Sequence, residues 1–167
     1  MVLTMEQSYS QNHYEVIEIE NGYQFTTMAG VDYFLTFFSY PTVSDFLSTN
    51  IYMFNIERAI YPYAPNGGQD DVKVRNTILF VLELFFQEHE DALITICDVV
   101  DGKQFARKRL FDLWFRKFNN NRLIKLESEC QIDDVPTYVS LLFSAGHYDQ
   151  EGLRKSFQEL VEINFYN

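Results

Sequence analysis

A chain of 167 residues is long enough for one domain that buries most of its unfolded surface without disulfide or metal staples. Its 47% apolar and 22% charged residues exclude intrinsic disorder, and a formal charge of −11 argues against a long nucleic-acid backbone as partner. Sixteen Phe, eleven Tyr and one Trp favour a β-rich core. Cys97 and Cys130 have no metal-like spacing, the first residues carry no secretory apolar segment, and no apolar run has the length of a membrane span. The expectation is a single domain over residues 1–167, with a flexible segment at 1–13. It is cytoplasmic, holds reduced thiols and has no membrane contact.

Tyr14 to Glu20, YEVIEIE, alternates apolar and acidic residues, and Asn21-Gly22 behind it is a strong hairpin signal. YQFTTM, a turn at Ala29-Gly30 and VDYFLTFFSY from Val31 to Tyr40 complete a three-stranded antiparallel meander. Pro41 to Asn50 reads as a connection and Ile51 to Ile60 as a fourth strand, followed by the loop YPYAPNGGQDD. From Val72 to Glu88 the period becomes helical, with Asp70 or Asp71 as cap and Val74, Ile78, Leu82, Phe85 and Phe86 along one side. A polar stripe through Asn76, Glu83 and Gln87 marks its solvent side.

ALITICDVV, from Ala92 to Val100, is an interior strand, and Asp101-Gly102 turns it into a helix through KQFARKRLFDLWFRKF. RLIKLESECQI and TYVSLLFSAG are two more strands. DQEGLRKSFQELVEI is a last helix, with Leu153, Phe157, Leu160 and Val161 on one face. The predicted order is β-β-β-β-α-β-α-β-β-α. This is an α/β (α+β) fold whose mixed, largely antiparallel sheet opens with an N-terminal β-meander.

Charge is segregated along this order. None of the first 57 residues is Lys or Arg, whereas eight of the thirteen basic residues fall between Lys103 and Lys125. On the wheel of the second helix, Leu113, Ala106, Leu110, Trp114, Phe118, Phe111 and Phe115 share a broad apolar arc. Lys108, Arg109, Asp112 and Arg116 lie opposite, as a solvated face. Lys108, Arg109 and Arg116 are therefore candidates for binding a partner.

Two arginines break the pattern. Arg107 falls between Trp114 and Phe118 inside the apolar arc, and Arg75 falls between Leu82 and Phe86 on the first helix. A buried guanidinium is unfavourable unless paired. Either Arg107 pairs with Asp98 or Asp101 and Arg75 with Asp71, or one of them faces a bound anion. Both helix starts belong at the carboxyl edge of the sheet, where α/β folds bind ligands. Arg75, Lys103, Arg107, Asp98 and Asp101 thus form a candidate anion site. His13, His89 and His147 are scattered and expected to be solvated. No metal motif and no catalytic motif appears.

The run TILFVLELFF…ITICDVVDGKQFARKRLFDLWF resembles that of an uncharacterised bacterial family. Over roughly residues 14 to 145 the layout is similar to the GNAT acetyltransferase superfamily, without that superfamily's two helices between its first strands. The resemblance implies an acetyl-CoA cleft between the fourth strand and ITICDVV, with Gln69 opening the pyrophosphate loop in QDDVKV. In that loop Val72 and Val74 occupy the glycine positions, and Phe111 falls near the position of a tyrosine general acid.

These departures imply a non-catalytic, GNAT-like protein without cofactor. It would act as an interaction module, docking a protein partner or associating with itself as a homodimer. The alternative is an acetyl-CoA-dependent N-acyltransferase, with Arg75, Lys103 and Arg107 on the phosphates and Glu57 or Glu83 as base. Pairing of the TYVSLLFSAG strand with another subunit is a further route to an oligomer.

Overall fold

The computed structural model describes residues 12–41, 49–59, 72–97, 104–132 and 134–165. The strands are β1 (Ile17–Ile19), β2 (Gly22–Thr26), β3 (Asp32–Tyr40), β4 (Ile51–Arg58), β5 (Ala92–Cys97), β6 (Leu123–Ile132) and β7 (Val135–Ser144). The helices are α1 (Val72–Glu88), α2 (Gln104–Phe118) and α3 (Gln150–Phe165), so the observed order is the expected one. The seven strands run β1-β2-β3-β4-β5-β7-β6 in one mostly antiparallel sheet. β4 and β5 are parallel, paired from Ile51 with Ala92 to Met53 with Ile94. Packing divides the chain into two compact units, one from Met1–Phe38 and Phe54–Glu88, the other from Ser39–Met53 and His89–Asn167. No helix among the described residues is long and apolar enough to cross a membrane.

In the first unit the Asn21-Gly22 hairpin forms, but for a different reason than its dipeptide suggests. Ile19 pairs with Gly22, so Glu20 and Asn21 make the turn and Asn21 alone takes the left-handed conformation, with φ of 61°. Gly22 is already in β2, opposite Thr36 of β3. A Cβ there would stand 1.9 Å from the Leu35 carbonyl oxygen, so glycine is needed for close backbone approach.

The core of this unit joins Tyr14, Phe25, Leu35 and Phe54 to Ile78, Val81, Leu82 and Phe85 of α1. Phe37 stacks on Phe85 with centroids 4.9 Å apart. Asn76 does not belong to a solvent stripe as expected. It is buried and donates to the Asn12 carbonyl at 3.0 Å. Its neighbour Thr77 accepts the Tyr14 amide at 2.9 Å and donates to the Lys73 carbonyl at 2.6 Å. These polar residues fasten the chain ahead of β1 to the helix, satisfying backbone groups that burial would otherwise strand.

In the second unit the strand period of two separates two unlike faces. Ala92, Ile94, Cys130, Val139, Leu141 and Phe143 form one core with Leu153, Phe157, Leu160 and Val161, the expected face of α3. The register places Thr95 and Cys97 of β5, Tyr138 and Ser140 of β7, and Glu127 and Glu129 of β6 on the other face. Leu93 and Leu142 share that face, which is otherwise largely polar, and α2 packs on β5 and β7. Cys97 and Cys130 are free thiols on opposite faces, so no disulfide joins them. The TYVSLLFSAG strand is not an edge: β7 lies between β5 and β6, and β6 is outermost.

Candidate functional site

The polar face under α2 is organised around Lys125, an interior position of β6 whose side chain is only 7% exposed. Alternation in LIKLESECQI puts Lys125 and Glu127 on the same side, and α2 supplies the rest. The Lys125 ammonium bonds to Asp112 and reaches Glu127 at 2.7 Å. Its charge lies 5.6 Å from each of the Phe111 and Phe115 ring centroids. Lys108, one turn before Asp112, donates to that carboxylate at 2.6 Å and stands 5.2 Å over the Tyr138 ring. Two cations and two carboxylates close on one another, which offsets the burial of each.

Electrostatics follow from this geometry. Burial alone would raise the Asp112 carboxyl, but hydrogen bonds from Lys108 and Lys125 outweigh it and hold the pKa at about 2. The bond to Asp112 raises Lys108 in turn, against its partial burial. Lys108 and Asp112 are therefore not a solvated face, which corrects the wheel at one margin. At the other margin Leu113, assigned to the apolar arc, is 49% exposed. β6 draws the polar pair inward because its own lysine needs acceptors. The internal neutralisation leaves no cation of this group for a ligand.

What α2 turns outward is a different set. Phe105 is 47% exposed while touching Tyr138 edge-on at 5.6 Å, and Arg109, Leu113 and Arg116 are exposed on the same side. These four positions fall within roughly 80° of the helix wheel. Arg116 Nε makes a long bond of 3.4 Å to the Asp112 carbonyl and stays at the surface. Three asparagines end the helix: Asn120 and Asn121 adopt φ of 46° and 59°, and the Asn119 side chain clasps both backbone groups of Leu123. This tight exit starts β6 directly and fixes which side of α2 faces the sheet.

The expected anion site is met only in part by the described residues. Gln69, Asp98, Asp101 and Lys103 lie outside them, as does the side chain of Arg107, whose backbone is in α2. Arg75 is half-buried on α1, with its Nε shielded from solvent. No group of His, Cys, Asp and Glu among the described residues is arranged to hold a metal ion.

His147 is buried, 7% exposed, and not solvated as expected. Its Nδ1 accepts the Asp149 amide at 3.0 Å, so the proton sits on Nε2, which donates to Thr49 Oγ1 at 3.2 Å. A histidine in this tautomer has no lone pair for the threonine proton and cannot activate it as a nucleophile. The cluster is structural: Tyr148 stacks on the ring at 4.6 Å and shares a hydrogen bond with Thr49, and Asp149 caps α3 through the Gly152 amide.

Residues 70–159 match the model of a family of unknown function, DUF6169, over more than half of the chain. The chain belongs to this family. The DUF6169 stretch contains the whole lysine cluster and the outward stripe of α2, whereas β1 to β4 lie outside it. No curated protein and no solved structure matches the chain.

Proposed function

We propose that this DUF6169 protein is a non-catalytic interaction module that binds an acidic protein surface through the outward side of α2. The observation that carries the reading is the stripe Phe105, Arg109, Leu113 and Arg116, where two large apolar side chains and two guanidinium groups stand exposed together. Arginine and aromatic residues are the side chains most enriched at binding hot spots. The same helix neutralises its inward lysine within the fold, so its outward charge is kept for something outside. Anisotropy titration with a labelled amphipathic peptide rich in glutamate tests this. Arg109→Glu with Arg116→Glu should abolish binding at unchanged thermal stability. A wild-type protein that ignores the peptide, or a variant that still binds it, overturns the proposal.

A second reading is favoured by the strand order, in which β4 and β5 pair in parallel and β6 and β7 form a closing hairpin. This arrangement supports a GNAT-like layout and with it an acetyl-CoA-dependent N-acyltransferase. Calorimetric titration with acetyl-CoA and with free CoA separates the two readings. Micromolar binding lost in Arg75→Ala or Arg107→Ala overturns the cofactor-free reading and calls for a search for the acceptor amine, and absence of heat at millimolar ligand removes the enzyme.

A further inference from the structure

We infer that the occupant of the α2 stripe is an amphipathic helix of a partner protein, carrying two carboxylates about two turns apart with an apolar residue between them. The inference rests on the interaction-module reading. Phe105, Arg109 and Leu113 follow one another at i, i+4 and i+8, which makes one ridge of a helix surface, and Arg116 stands one turn beyond Leu113. Along the axis they lie at about 0, 6, 12 and 16 Å, apolar and basic in alternation. Both guanidinium groups are available. Arg109 has no ion pair, and Arg116 bonds only a carbonyl of its own helix. The inward Lys108, Asp112 and Lys125 cluster and the Asn119 clasp hold α2 in place, so this surface is formed before a partner arrives.

A helix is the element that matches such a surface. In an antiparallel partner helix of the pattern Glu-x-x-Leu-x-x-x-Glu-x-x-x-Leu, the glutamates meet Arg116 and Arg109, and the leucines meet Leu113 and Phe105. Both helices have the same rise, so the four pairs stay in step. An extended partner presents one face every second residue, about 6.6 Å, and falls about 3 Å out of step at the last pair. It also has backbone donors and acceptors to satisfy, and the side of a helix offers none, whereas a helix has bonded its own. With leucine against Leu113, water is kept from the flanking ion pairs, which strengthens both.

Fluorescence anisotropy with three labelled peptides at about 0.15 M salt tests this. The first carries the pattern above in an alanine-rich helix. The second has the same composition with its glutamates on the opposite face, and the third has proline in place of its central alanine, which breaks the helix. The first should bind the wild type and gain helical circular dichroism on binding, while the other two bind about tenfold or more weakly. The protein with Arg109→Glu and Arg116→Glu should lose the first peptide and accept its counterpart with lysine for each glutamate. Equal binding of the second or third peptide, still lost in the double variant, overturns the helical occupant and leaves the interaction module standing. Failure of the charge-reversed pair to bind overturns it as well, and a wild type that binds no peptide sinks both readings. Wild type that associates above its 19.8 kDa mass in light scattering, and stops in the double variant, would make the occupant a second copy and also overturn the inference. Circular dichroism confirms that the variant, changed only at exposed positions, remains folded.

Discussion

Replacing Lys125 tests the reasoning about the charge cluster most directly. Lys125→Ala removes three buried methylenes from between Phe111 and Phe115, at roughly 0.8 kcal/mol each, or about 2 kcal/mol. Loss of the cation adds about 1 kcal/mol, well below the cost of breaking a fully buried pair. Glu127 is 42% exposed and rehydrates, and Asp112 keeps Lys108. The sum is about 3 kcal/mol for alanine, whereas Lys125→Met keeps the stem and should lose only about 1 kcal/mol.

Urea unfolding followed by circular dichroism gives these differences as shifts in midpoint at constant slope. The cluster also has a pH signature. The folded Asp112 pKa, about 2, lies below its ordinary value of 3.8, so its stabilisation is complete above that value and is lost as pH falls toward 2. Carboxyl NMR titration should find Asp112 near 2 in the wild type and moved toward 3.8 in Lys125→Met. An ordinary Asp112 titration in the wild type, or equal stability of the methionine and alanine variants, would refute the account.

Gly22→Ala drives a Cβ into the Leu35 carbonyl and should cost about 2–3 kcal/mol in thermal unfolding, with β1 amides exchanging faster. His147→Ala leaves Thr49 and the Asp149 amide without their ring partner and should destabilise by about 2–3 kcal/mol, read as a fall in melting temperature. Thr77→Val keeps the shape of α1 but strands the Tyr14 amide, at about 1–3 kcal/mol; hydrogen exchange at Tyr14 should accelerate with it.

Local signals were enough for the element order, because each element carries its own period. The alternation of LIKLESECQI, the apolar side of α1 and the Leu153, Phe157, Leu160 and Val161 face of α3 survive in the folded protein, whereas YEVIEIE keeps only Ile17–Ile19 as strand, with Ile17 exposed. What escaped were residues whose environment is set by partners distant in sequence. Asn76 looks like part of a solvent stripe until the chain at Asn12 is laid across it. His147 looks isolated until Thr49, ninety-eight residues away, meets it. Lys108 and Asp112 look solvated because a wheel sees one helix and not the lysine opposite. A signal was present: Lys125 and Glu127 share the side of β6 that alternation assigns to the partner of α2, and Lys108 and Asp112 stand at the i, i+4 spacing of an ion pair.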